Sequence, residues 1–177
     1  EGDAAARYFG VFQHLLTEKS GFTFGGRNRR PPRDPVNALL SFLYSVLGKD
    51  ISGALQSVGL DPQVGFLHAD RPGRDSLAQD LLEEFRAWWV DRMTLSLINR
   101  GQIRLQDFST EAGGAVNIKP EARKLLFQTL QAKKQEKIVH PYLQEEVEIG
   151  LLPHIQAMLL ARHLRGDLAE YPPFLMR

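Results

Sequence analysis

No cysteine occurs in the 177 residues, which excludes disulfides, zinc-thiolate centres and thiol nucleophiles together. That lack fits a reducing compartment, so a cytoplasmic location is the expectation. No apolar run approaches the roughly 20 residues of a membrane span. No signal-peptide pattern opens the chain either, and no membrane is expected as a partner. Charge of one sign is also missing: 22 Lys and Arg stand against 21 Asp and Glu, a net +1. That total does not announce a nucleic-acid binder, although acids gathered around a metal would hide a basic surface from the count. There is no H-E-x-x-H zinc motif, no G-x-S-x-G elbow and no Walker-type loop. Gly25-Gly26, near several arginines, is too short a run for a phosphate loop. Glu1 stands where a methionine would, so a fragment, a processed product or the ordered part of something longer is expected.

What is present describes an ordinary globular chain, 43% hydrophobic and 24% charged. Its length suits one domain spanning 1–177, with enough core to need no staples. Ala5, Tyr8, Phe12, Leu15 and Leu16 recur at helical spacing and predict a helix over 3–19. Gly21 to Asp34 reads as a loop, mobile or ordered on binding, because glycine, proline and arginine dominate it. Asp34-Pro35 predicts an N-cap and first helical position, with a helix to about Leu47 and a second, short one over 51–58. Asn37, Ser41 and Ser45 make one narrow polar stripe on that otherwise apolar helix. Asp75 or Ser76 caps a long helix to Ile98, and Pro120 opens another to about Ile138. Residues 103–108 and 115–118, around Gly113-Gly114, suggest a small β-hairpin. Pro153 opens the last helix, Gly166 closes it, and an extended tail follows. About six helices with almost no sheet define an all-α fold.

Several residues carry possible chemistry. At about 100° per residue, Leu77, Leu81, Phe85, Trp88 and Trp89 fill one arc of the helix from Ser76. Asp80 and Glu83 lie on the other side, pointing the same way. An isolated pair at this spacing is more often a solvated face. Glu1 falls in line with Ala5, Tyr8 and Phe12. A carboxylate aimed at a core must be protonated, paired or metal-bound, whereas a frayed terminus would simply stand in water. His68, in GFLHADRPGR, precedes the carboxylate helix, with Asp70 beside it as a partner or a plain loop acid. Two carboxylates and one imidazole would suit Mg²⁺ or Mn²⁺ better than structural zinc. Basic residues cluster as Arg27, Arg29, Arg30 and Arg33, as Arg71 and Arg74, and as Lys124, Lys133, Lys134 and Lys137. Each cluster is either a solvated surface or a phosphate-binding one; Arg27, Arg29, Arg30, Arg33, Arg71, Arg74, Lys134 and Lys137 are the DNA-contact candidates.

The blocks DPVNALLSFLYSVL, GLDPQVGFLHADRPGRDSLAQDLLEEFR, LSLINRGQI and GLLPHIQAMLLARHLRGDLAEYPPFL resemble the CRISPR spacer-acquisition integrases, the "Cas-one" endonuclease family, in a type I-C-like branch. The resemblance covers nearly the whole chain. It implies the family's C-terminal helical catalytic domain without its N-terminal β-domain. It also implies metal ligands at Glu1 in EGDAAARYF, His68 in FLHAD and Glu83 in DLLEEFR, with Asp80 as an accessory acid. The implied activity is metal-dependent integration of short foreign DNA into the CRISPR array by transesterification, with DNA cleavage, in prokaryotic antiviral defence. The implied partners are protospacer and repeat DNA, a second copy of the chain, the small bridging protein "Cas-two" and the trimming nuclease "Cas-four". Two other readings stand beside it: a catalytically silent helical module that binds DNA or assembles a complex, and a generic helical metal-dependent hydrolase.

Overall fold

The computed structural model describes residues 2–176. Helices dominate: α1 (Gly2–Val11), α2 (Pro35–Ser57), α3 (Ser76–Phe85), α4 (Arg92–Asn99), α5 (Pro120–Gln135) and α6 (Leu152–Leu164). Two small antiparallel hairpins accompany them, β1 (Phe108–Thr110) with β2 (Val116–Ile118) and β3 (Lys137–Val139) with β4 (Glu146–Glu148). The all-α expectation is borne out, and a hairpin forms around Gly113-Gly114, but its first strand is Phe108–Thr110 and not 103–108, because Leu105–Asp107 make a 3-10 turn closed by the Asp107 side chain on the Arg104 N–H.

The chain forms two compact units. One comprises residues 1–43 and 89–127, the other residues 44–88 and 128–177. In the first unit, α1 stops well short of Ser20. It passes at Phe12 into a 3-10 turn ending at Leu15, and Asn99 holds the end of that turn, accepting from the Thr17 N–H at 3.0 Å and donating to the Leu15 carbonyl at 2.9 Å. Phe9, Phe12 and Phe24 pack ring to ring, 5.1 to 6.0 Å between centroids, and Tyr8 donates to Asp91 at 2.8 Å. Burial and the Asp91 charge push the Tyr8 phenol well above its ordinary range.

Asp34 caps α2 as its sequence predicts, accepting from the Asn37 N–H at 2.8 Å. The helix then runs unbroken through Gly48 instead of stopping near Leu47. A Cβ at Gly48 would lie 3.7 Å from the Gln79 side chain, so the glycine serves close packing against α3 and does not break the helix. The single helix of 23 residues is long and apolar enough to cross a membrane, unlike any run expected from the sequence. Half of its most apolar stretch is buried inside the protein, as befits a core helix: Leu39, Leu40, Ile51 and Leu55 are wholly buried.

The Gly21–Asp34 loop is anchored, contrary to the mobile loop its composition suggests. Asn28 accepts from the Arg33 N–H at 2.7 Å and donates to Asp34 at 3.1 Å, while buried Asn37 donates to the Gly26 carbonyl at 2.9 Å. Three asparagine and aspartate side chains thus supply the fixed bonds that glycine and proline cannot.

The helix expected from Ser76 to Ile98 is continuous in outline but not in register. Between α3 and α4, Arg86–Asp91 form a π-helical turn, with Trp89 and Asp91 buried. In the second unit, α5 ends at Gln135 and not at Ile138, because Lys137–Val139 pair with Glu146–Glu148.

Candidate active site

The stretch from Leu60 to Asp75 is irregular, yet it is stapled to α3 at several points. The Pro62 carbonyl accepts the N–H groups of Leu77 and Ala78, at 2.9 and 3.3 Å, and so caps the helix in place of a side chain. Asp75, at the N-cap, turns away and accepts from Ser52 of α2 at 2.6 Å. Asp70 accepts the Gly65 N–H at 3.0 Å, so it serves as a loop acid. At Gly65 the approach is too close for any side chain: a Cβ would sit 2.5 Å from the His68 carbonyl oxygen and 2.7 Å from the Ser76 Cβ.

This crowding delivers three successive amides to one carboxylate. Asp80 accepts the N–H of Phe66 at 2.6 Å, of Leu67 at 3.0 Å and of His68 at 2.9 Å. It also meets the His68 imidazole, Nδ1 to Oδ1, at 2.6 Å. Burial raises the Asp80 pKa, but the Leu67 and Phe66 amides, the imidazole and the His68 amide together pull it below the ordinary carboxylate range. Asp80 is therefore no solvated helix face; it holds both the backbone and the ring of His68.

Glu83 lies one turn further along α3. It is partly exposed and pairs with Arg86, whose guanidinium stacks 4.8 Å over the Tyr44 ring. The structure brings His68 and Asp80 into contact and sets Glu83 on the same helix. Glu1 lies outside the described residues. Among the described residues, no three His, Asp or Glu side chains form a group able to hold a metal ion. The donor chemistry of His68 nonetheless fits one. With Nδ1 committed to Asp80, Nε2 is the nitrogen left for a ligand, the arrangement found where a carboxylate orients a metal-bound imidazole. Glu83 supplies an oxygen donor whose present counter-ion is Arg86.

Sequence reasoning missed Glu84. It is part-buried and pairs with no cation among the described residues. Instead it accepts from the Tyr171 hydroxyl at 2.7 Å, the Phe174 N–H at 2.8 Å and the Gln156 amide at 2.8 Å. Burial raises its pKa, an effect these three hydrogen bonds oppose. The doublet Glu83-Glu84 was visible, but its partners lie some 70 to 90 residues away, so only folding reveals the difference between the two acids. Asp80, Glu84, Phe66 and Leu67 border a cavity of about 300 Å³, and Phe66 and Leu67 themselves are 65% and 74% exposed.

The basic candidates fall into two groups. Arg27 donates to Asn37 at 2.6 Å and Ser41 at 3.1 Å, so it serves the polar stripe of α2. Lys134 pairs with Asp50 at 2.6 Å and Lys137 with Glu146 at 3.1 Å. Arg29, Arg30, Arg33 and Arg71 are exposed, and Arg74 is half-buried.

Fold and site together define a helical protein that presents a carboxylate-anchored imidazole beside a second, cation-paired acid. Comparison with known proteins places it further: the family model for CRISPR associated protein Cas1 matches residues 1–132, and the chain belongs to that family. A "CRISPR-associated endonuclease Cas1" of Chlorobaculum tepidum is 56% identical over 178 residues, covering all of this chain and 52% of the relative. A solved "Casposase bound to integration product" is 27% identical with a TM-score of 0.86, over 99% of this chain and 50% of that one. A "Cas6-RT-Cas1–Cas2 complex" contains a chain 28% identical with a TM-score of 0.83, over 98% of this chain and 19% of that one. The chain spans about half the length of curated relatives it matches, 52% and 51% for two of them.

Proposed function

We propose that this chain is the catalytic portion of a divalent-metal-dependent DNA integrase and endonuclease that inserts short foreign DNA into a CRISPR array. The observation that carries the reading is the Asp80–His68 contact at 2.6 Å, which commits Nδ1 and frees Nε2, in a chain of the Cas1 family. The casposase neighbour, bound to an integration product, adds support for strand transfer, and the endonuclease name of the relatives for cleavage.

In this reading Glu1, His68 Nε2 and Glu83 hold Mg²⁺ or Mn²⁺. When bound, that ion would favour ionisation of a 3′-hydroxyl or a water and offset charge on the attacked phosphate. Asp80 fixes the imidazole in its ligating orientation. Arg86 neutralises Glu83 until the acid is needed. Transesterification exchanges one phosphodiester for another, with the proton passing from the attacking hydroxyl to the departing oxygen. It needs no oxidant, reductant or nucleotide. The expected partners are protospacer and repeat DNA, a second copy of the chain and Cas2, which the Cas1–Cas2 complex supports. Cas4, a type I-C-like setting and the prokaryotic cytoplasm rest on the sequence resemblance.

The second reading is a silent DNA-binding or assembly module. Calorimetric titration with Mn²⁺ separates the two. The catalytic reading expects saturable binding that His68→Ala abolishes. Equal affinity in the wild type and His68→Ala would leave the silent module as the better account.

A further inference from the structure

Charge divides unevenly between the two units. Residues 1–43 and 89–127 carry twelve Lys and Arg against eight Asp and Glu, a formal +4, whereas the other unit carries ten against thirteen, a formal −3. Pairing divides the same way. In the second unit Arg86, Lys133, Lys134, Lys137 and Arg165 each meet a carboxylate. In the first, Arg29, Arg30, Arg33, Arg104, Lys119 and Arg123 are exposed, and none of these six has a carboxylate partner among the described residues. Exposed cations without a carboxylate partner mark where an external anion can complete the charge.

The β1–β2 hairpin ties together Arg33, Arg104, Lys119 and Arg123, and Arg29 and Arg30 stand just before the Pro31-Pro32 pair that meets its turn. At its turn, the Val116 N–H donates to the Pro32 carbonyl at 2.9 Å. Arg33 reaches the same turn, its guanidinium lying 3.2 Å from the place a Gly114 Cβ would occupy. At the open end, the Lys119 N–H donates to the Asp107 carbonyl at 2.9 Å, and the Asp107 side chain accepts the Arg104 N–H at 2.7 Å. Arg123 follows one helical turn after Lys119, donating its N–H to the Lys119 carbonyl at 3.0 Å. Five residues separate Gly114 from Lys119, so at about 3.3 Å per residue the backbone points that anchor the two basic groups lie at most roughly 17 Å apart. One strand of B-DNA advances about 3.4 Å per nucleotide, so that span covers at most about five base pairs.

We propose that the β1–β2 hairpin is a DNA-backbone clamp, with Arg29, Arg30 and Arg33 at one end and Arg104, Lys119 and Arg123 at the other, both ends meeting phosphates of the same duplex. The inference rests on the DNA reading above and extends it from Arg29, Arg30 and Arg33 to Arg104, Lys119 and Arg123, which the sequence did not single out. Guanidinium and ammonium groups without neighbouring base-reading elements position a duplex and leave its sequence unread. The proposed phosphate contacts lie in the first unit, whereas His68, Asp80 and Glu83 belong to the second.

The test measures binding of a random-sequence 30-base-pair duplex between 50 and 200 mM salt. Arg29→Gln and Arg123→Gln should each lower the slope of log affinity against log salt by about one, and the double variant by about two. For the double variant, the loss of affinity across that salt range should be about 10-fold smaller than in the wild type. Arg165→Gln, whose partner is Asp167, should leave the slope unchanged. Lys119→Gln provides the same readout should Arg123→Gln fold poorly. A lowered slope for Arg29→Gln with an unchanged one for both Arg123→Gln and Lys119→Gln overturns the clamp, and so does an equal drop for Arg165→Gln. A wild-type protein without salt-dependent binding overturns the DNA reading itself.

Discussion

His68 and Asp80 are joined twice: the carboxylate takes the ring nitrogen Nδ1 at 2.6 Å and the backbone N–H of the same residue at 2.9 Å. A side chain bound at both its root and its ring can neither turn about χ1 nor flip, so Nε2 keeps one direction.

The first prediction concerns that anchor. Asp80→Ala removes the acceptor for three amides and an imidazole at once. Leaving such groups unsatisfied costs about 1–3 kcal/mol, and urea denaturation should show a loss in that range. Glu83→Ala, which releases only Arg86, should stay within about 1 kcal/mol of the wild type. Equal stability of Asp80→Ala and wild type would remove the anchoring role.

The second concerns chemistry in the full-length protein. His68→Ala and Glu83→Ala should abolish integration of a labelled duplex with a free 3′-hydroxyl into supercoiled DNA, while a parallel gel shift stays near wild type. Scattered Lys and Arg bind the backbone, and a metal acts mainly on charge that develops during attack, so the loss belongs in rate. Near-normal integration by Glu83→Ala would refute its assignment as a ligand.

The third concerns pH and a different histidine. His140 is wholly buried, and its Nδ1 accepts two amides, from Tyr142 at 3.3 Å and Leu143 at 3.2 Å. Its Nε2 meets the Gln156 carbonyl oxygen at 3.1 Å, since the Gln156 amide nitrogen donates to Glu84. The neutral ring with its proton on Nε2 satisfies all of these, whereas the charged ring has no lone pair left for the amides. Burial lowers the His140 pKa, which the Gln156 bond only partly opposes. The unfolded chain then binds more protons than the folded one below the ordinary histidine range, about 6.5. Stability should therefore fall as pH drops from 7.5 to 5.5, and fall less steeply in His140→Gln. Parallel melting-temperature profiles for the two proteins would contradict this.

Much of the site was legible because its signals are local or family-specific. The Asp34-Pro35-Asn37 cap declares itself within four residues, and helical arithmetic put Asp80 and Glu83 on one side of α3. The use each acid finds was not legible. Asp80 is bound by a loop twelve to fourteen residues back, and Glu84 by a tail about 90 residues on. The β3–β4 hairpin was also hidden. Lys137–Val139 continue the pattern of α5, and they become a strand only because Glu136 accepts the Ile149 N–H at 2.8 Å and His140 organises the turn. The Arg27 side chain reads as surface charge until Asn37 and Ser41 are folded beneath it.

The π-turn at Arg86–Asp91 has a consequence for insertions and deletions. Such a turn holds one residue more than an α-helix would need. Deleting any one residue there would let the backbone close up as ordinary α-helix, without breaking a fold rule. A π-turn advances each residue by less than the roughly 100° of an α-helix, so its surplus residue adds almost no net rotation and the helices on either side stay in phase. With exposed Ala87 removed, Asp91 would still face Tyr8, which it meets at 2.8 Å. Those six positions can therefore lose one residue where the regular turns of α3 and α4 cannot, and related chains should carry a single-residue gap there more readily than elsewhere in the two helices.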